Sequence, residues 1–177
     1  MLVNISIIQW NQRFILCLNK YINQIRWNLF TTLKMSLRIS YSGEINWLFF
    51  PLKDMASLAN IKLHVNLLEN HKGELDSTEL CVFSTQALYP DSTPHGRMFA
   101  PLFGITEDPA TGSASGSLGC YLVQNGISYG KAIVCEQDFK MDKPGILHVA
   151  IAITGGIMKT VNVSGNAVKI SKRLFYV

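Results

Sequence analysis

Between Phe14 and Leu29 the apolar residues recur at helical spacing, through Leu18, Tyr21 and Ile25, with Arg13, Lys20 and Gln24 roughly opposite. That pattern fits a basic amphipathic helix. After Gly43 the texture changes. Trp47, Leu48, Phe49 and Phe50 form a compact apolar run ended by Pro51, which predicts a buried strand. Asp54 is placed to cap a short turn through Met55 and Leu58. Ile61, Val65 and Leu68 then mark a second amphipathic stretch that stops at Gly73. Residues 80–87 alternate as a strand does, and a loop rich in Pro, Asp, Ser and Thr occupies residues 90–94, before the run Arg97-Met98-Phe99. Towards the end, residues 133–136, 147–153, 159–163 and 167–174 read as strands, separated by turns at Lys143-Pro144-Gly145, Gly155-Gly156 and Gly165-Asn166. Strands outnumber helices, which predicts an α/β (α+β) chain with antiparallel pairing rather than a regular βαβ alternation.

Composition narrows the class. An apolar fraction of 48% with 16% charged residues is globular, and 177 residues suit one ordinary domain with a real core. The formal charge of +4 is unevenly spread. Residues 1–40 carry five bases (Arg13, Lys20, Arg26, Lys34, Arg38) and no acid, whereas the other 137 residues hold eleven bases against twelve acids, a balance of −1. The body therefore has no basic surplus for a phosphate backbone, and nucleic acid is not expected as a partner. A domain boundary is placed near residue 40. Three readings of the leader before it stand side by side: a helix packed on the body, an interfacial or targeting helix, or a poorly ordered extension. No run approaches the ~18 apolar residues of a membrane span, and no secretory pattern is visible, so membrane association and secretion are not expected. Cys17, Cys81, Cys120 and Cys135 fall into no ligand spacing, which points to reduced thiols and a cytoplasmic protein. His64, His71 and His148 have no partners at ligand spacing, so no metal is expected.

Chemistry concentrates in residues 104–123, where Glu107, Asp108 and Pro109 lead into a small-residue segment that turns apolar. Pro109 fixes one φ angle and Thr111 or Ser113 can cap a helix. Ala114, Leu118, Tyr121 and Leu122 share one face of that helix until Gly126 ends it. Ser115, Gly116, Gly119 and Cys120 make another side small enough for backbone to approach closely. Free N–H groups at Gly112, Ser113 and Ala114 would suit a carboxylate or phosphate. No Lys follows the glycines, no G-x-G-x-x-G is present, and Ala114 stands where a nucleophile elbow needs serine. Arg97 reads as a cross-strand partner and Glu107 as an exposed or salt-bridged carboxylate. His95, between Pro94 and Gly96, reads as a loop residue.

The runs Arg97-Met98-Phe99-Ala100-Pro101 and Gly104-Ile105-Thr106-Glu107-Asp108-Pro109-Ala110-Thr111-Gly112-Ser113-Ala114 resemble the signature of the phenazine-biosynthesis PhzF-like family, relatives of diaminopimelate epimerase. Phe50-Pro51-Leu52-Lys53-Asp54, Glu136-Gln137, Met141, Pro144 and Val161-Asn162-Val163-Ser164-Gly165 extend the similarity over roughly residues 41–172. The resemblance implies a fold of two lobes, each a mixed barrel-like sheet around a central helix, with a cleft between them. This chain resembles the second lobe. It implies further a cofactor-free isomerase moving a proton on a small carboxylate substrate. Asp108 would stand at the second-lobe acidic position, and Gly112 and Ser113 would offer backbone N–H groups to the carboxylate. The family's first-lobe glutamate finds no match in residues 1–40, so the expectation is a truncated or fragmentary isomerase whose own activity stays open. Its expected partner is a complementary first lobe or a second copy. The alternative is a non-catalytic module, one lobe that binds an anion or assembles through its former interlobe face.

Overall fold

The computed structural model of the chain describes residues 3–7, 37–41, 45–66, 79–129, 132–137, 142–169 and 171–173. Its strands are β1 (Val3–Ile7), β2 (Leu37–Tyr41), β3 (Ile45–Leu52), β4 (Glu79–Ser84), β5 (His95–Ala100), β6 (Ile105–Asp108), β7 (Ala132–Gln137), β8 (Gly145–Thr154) and β9 (Ile157–Gly165). With them stand the α-helices α1 (Met55–Ala59) and α2 (Gly112–Gln124). All nine strands form one sheet in the order β1-β2-β3-β4-β5-β7-β8-β9, with β6 paired to β5 off that path. Pairing is antiparallel except between β3 and β4 and between β5 and β7. Helix α2 packs against β2 and β3 from one end of the order and against β7, β8 and β9 from the other, and β1 meets β9. The sheet is thus curled around α2, the mixed barrel-like sheet about a central helix that the sequence led us to expect.

Burial explains why the run from Trp47 is unbroken rather than alternating. Trp47 and Phe49 face the α2 side with Cys81, Phe83 and Met98. Leu48, Phe50 and Leu52 face the opposite side, where Leu80, Val82 and Phe99 join Leu58 of α1 and Ile61. A strand covered on both faces is apolar at every position. Tyr121 of α2 sits at the centre of the inner core, its ring 5.5 Å from Phe49 and edge-on to Phe83 at 5.6 Å. Close approach of α2 to β8 depends on Gly119, since a Cβ there would lie 2.8 Å from Val149 Cγ1. Strand β8 alternates cleanly, with Leu147, Val149 and Ile151 buried and His148, Ala150 and Ala152 exposed. Its hairpin to β9 turns on Gly155 and Gly156, both at positive φ, as a two-residue turn requires.

Three local expectations change. Pro51 does not end its strand, because β3 runs on to Leu52. Among the described residues, pairing to β2 stops at Trp47 and Pro51 is paired only to Phe83 of β4, a one-sided position of the kind where a strand tolerates proline. His95 lies in β5 rather than in a loop. Residues 167–169 and 171–173 form no strand: they are exposed and polar-rich, with no apolar face to bury. Strands β1 and β2 fall in the segment read from sequence as a leader, and β2 lies across the boundary placed near residue 40. The helical periodicity of residues 14–29 lies outside the described residues, as do His71, Met141 and the far part of the second amphipathic stretch.

Candidate functional site

Strand β5 changes partner along its length. Its beginning pairs with the end of β7, His95 opposite Glu136 and Gly96 opposite Gln137, and its continuation pairs with β6, Met98 opposite Asp108. The chain leaving β6 must therefore cross close to the end of β7 before it enters α2. Residues 108–111 make that crossing, and two buried side chains of β7 and two of β5 hold what surrounds it.

Gln137 is fully buried. Its Oε1 accepts from the Thr111 N–H at 3.0 Å, while its Nε2 donates to the Asp108 carbonyl and to Thr111 Oγ1, the latter at 3.1 Å. The Thr111 hydroxyl donates to Asp108 Oδ2. Asp108 Oδ1 has no hydrogen-bond partner among the described residues. Thr111 occupies the N-cap position of α2 but makes no side-chain bond to the helix amides. The first helix-closing bond runs from Ser115 N–H to Thr111 C=O at 3.0 Å, so the N–H groups of Gly112, Ser113 and Ala114 precede it. Asp108 and Thr111 are half-buried and Ser113 is exposed, which leaves this end of the helix open to a ligand. Gly145, opposite Gln137 in the β7–β8 ladder, lets Pro109 pass: a Cβ there would stand 2.9 Å from its carbonyl oxygen.

Arg97 and Glu107 steady the strand before the loop. The guanidinium holds the carboxylate in a fork, Nε to Oε1 at 2.6 Å and Nη2 to Oε2 at 2.7 Å, and its Nη1 donates to the carbonyls of Leu58 and Ile61 at 2.9 and 3.1 Å. It also lies 5.0 Å from the Phe99 ring centre. One buried cation thus links β5, β6 and the end of α1. The salt-bridged reading of Glu107 holds.

Glu136 is a second buried hub. Its carboxylate accepts from the N–H groups of Leu88 and Tyr89 at 2.8 and 2.6 Å, and lies 2.8 Å from His95 Nδ1. Burial alone would push this carboxyl up, but the donors from Leu88, His95, Tyr89 and Ser92 together outweigh it and hold it below the usual carboxylate range. An ionised carboxylate only accepts, so His95 Nδ1 carries the proton in this bond. The pair fastens residues 85–94 to the sheet.

The sequence-predicted residues Asp108, Gly112 and Ser113 are thus brought together at the junction of β6 and α2. Other candidates drop away from chemistry. Cys120 sits in the core, its thiol pushed up to about 11 by burial, and Cys135 is pushed up to about 12 for the same reason. His64 and His148 are exposed, and among the described residues no three metal-binding side chains cluster. Gln137, Gly145 and the partners of Glu136 escaped the reading from spacing. Glu136-Gln137 entered only through the resemblance and Gly145 only as a turn residue; the signal for the network was a polar Glu-Gln pair closing an apolar strand, since buried polar side chains normally serve one.

Comparison with known proteins bears on the family and the fold. The profile of a family described as phenazine biosynthesis-like protein, PhzC-PhzF, matches residues 20–173. An uncharacterized isomerase of Clostridium acetobutylicum is 32% identical over 125 residues, 68% of this chain and 41% of that protein. The trans-2,3-dihydro-3-hydroxyanthranilate isomerase of Pseudomonas chlororaphis is 37% identical over 73 residues, 41% of this chain and 26% of the enzyme. The crystal structure of a PhzF-family phenazine biosynthesis protein from Bacillus anthracis shares the fold at a TM-score of 0.73 and 17% identity, covering 93% of this chain and 55% of that one. The chain spans less than half the length of the two isomerases it matches. Among the described residues no helix is long and apolar enough to cross a membrane.

Proposed function

The chain belongs to the phenazine biosynthesis-like PhzC-PhzF family, and from that membership we propose that it supplies the carboxylate-holding side of a cofactor-free isomerase. Asp108 is the group that gives or takes the proton on this side. The substrate is a small molecule whose carboxylate rests on the amides of Gly112 and Ser113. The relative from Pseudomonas is named for such a molecule, a ring acid.

The observation that carries the reading is the layout of residues 108–113. One oxygen of Asp108 is fixed by Thr111 and the other is unengaged among the described residues, directly ahead of a helix whose first amides are uncapped. Unpaired amides and the helix dipole favour an anion at that point. Losing a comparable preorganised donor costs about 3 to 4 kcal/mol of transition-state stabilisation. Moving a proton between faces of a substrate needs a second acid-base group opposite the first. In this proposal that group comes from a complementary lobe or from a second copy of the chain. Titration with benzoate, followed by amide NMR, tests the seat: shifts centred on residues 108–116 support it, and shifts elsewhere alone would sink it.

A second reading is favoured by one feature. Phe103 and Ile105, on the approach to Asp108, are 68% and 44% exposed. A lobe that only assembles or binds anions would use this apolar rim. Sedimentation showing self-association, with no solvent deuterium entering a bound substrate's α-carbon, would favour that module over the enzyme.

A further inference from the structure

We infer that Gln137 is a positioning residue for the carboxylate seat, acting by dictating where the Thr111 hydroxyl points. The orientation of its amide follows from its backbone partners. The Thr111 N–H can only donate and so faces Oε1, and the Asp108 carbonyl can only accept and so faces Nε2. The second Nε2 proton is then aimed at Thr111 Oγ1. That contact makes the hydroxyl an acceptor on the Gln137 side and leaves its single proton for Asp108 Oδ2.

Two consequences reach the site. The Asp108 carboxylate is held by one oxygen in a fixed direction. The hydroxyl, although it belongs to the N-cap residue, is kept off the helix amides it would ordinarily satisfy. A threonine at this position normally closes the amides two or three residues on, here Ser113 and Ala114. Here its oxygen accepts from Gln137 and makes no bond to either amide, which leaves them for a ligand. Gln137 can do this because it is fully buried at the end of β7, beside the point where β5 passes from β7 to β6.

The inference rests on the proposed role of the first turn of α2, yet its test needs no ligand. In Gln137→Met the hydroxyl keeps its bond to Asp108, but its oxygen, no longer met by Nε2, turns to accept from the first turn of the helix, so the Ser113 and Ala114 amide protons move downfield. In Gln137→Met with Thr111→Val they return towards the wild-type positions. A purely structural role for Gln137 would not be reversed by removing a hydroxyl. Unmoved amides in the single variant, or a shift that persists in the double variant, overturn the inference. Should Gln137→Met fail to fold, Thr111→Val alone decides: one Gln137 side-chain amide proton moves upfield as it loses its acceptor, and two unmoved protons would refute the network. A wild-type chain that ignores benzoate while showing these shifts would refute the carboxylate seat and leave this inference standing.

Discussion

Gly145 carries no side chain at the point where the Pro109 carbonyl passes it, and a methyl group there would stand 2.9 Å from that oxygen and 3.3 Å from Ala110 Cβ. Backbone on both sides leaves nothing to give way. Gly145→Ala should therefore displace the loop after Asp108, at an overpacking cost of about 1 to 3 kcal/mol. Benzoate affinity should fall by about tenfold, equivalent to ~1.4 kcal/mol. Urea unfolding and the NMR titration measure the two effects. An unaltered affinity would mean that the loop tolerates the shift and is not held by this contact.

Arg97 is needed by three elements at once. Its replacement by Met keeps much of the volume but strands the Glu107 carboxylate and the carbonyls of Leu58 and Ile61. Breaking a buried pair by removing one partner typically costs about 3 to 5 kcal/mol, because the other charge stays behind. Arg97→Met should lose stability in that range by urea unfolding. The double variant with Glu107→Leu should recover part of it, having removed the orphaned charge. Strictly additive losses would show that the fork contributes no coupling.

Glu136 makes stability depend on acid. Its folded carboxyl is held below the unfolded value near 4.5, so its contribution is fully present above that pH and is lost as pH falls through the lower, folded value. Glu136→Gln should thus melt below the wild type at about pH 6, with the gap closing towards about pH 3. Calorimetry across that window is the measurement. A gap that stays constant or widens in acid would mean that the four donors do not favour the ionised form.

The legible part of this fold and site is local. Turn glycines at 155 and 156, the Asp54 cap, whose Oδ1 accepts from Ser57 N–H at 2.7 Å, and the boundaries of α2 follow from short-range chemistry that a sequence displays. The Glu107-to-Ala114 run brought Asp108 into view through its resemblance to the family signature, and Gly112 and Ser113 also through the open start of a helix. What supports them joins residues 26 and 41 positions apart, Thr111 to Gln137 and His95 to Glu136, and rests on strand order. No periodicity encodes that β5 lies parallel to β7. The strand expected over residues 167–174 is absent at residues 167–169 and 171–173, since a β-branched residue such as Val168 promises a strand only where a face is there to cover it.

Strands β1 and β2 bear on how much of the chain the lobe needs. The basic, acid-free composition of residues 1–40 set them apart from the body, yet β2 pairs with β3 and packs on α2, and β1 meets β9 at the far end of the sheet. Removing both would expose the β3 edge at residues 45–47 and one flank of α2, where Trp47 is otherwise buried. Unpaired edges and uncovered apolar surface favour association over folding. A variant beginning at residue 42 should therefore lose its cooperative melt or aggregate, whereas one beginning at residue 37, which keeps β2, should retain a weakened transition. Melting of both by circular dichroism with sedimentation checks this. A variant from residue 42 that melts as sharply as the full chain and stays monomeric would show that the body folds without these two strands.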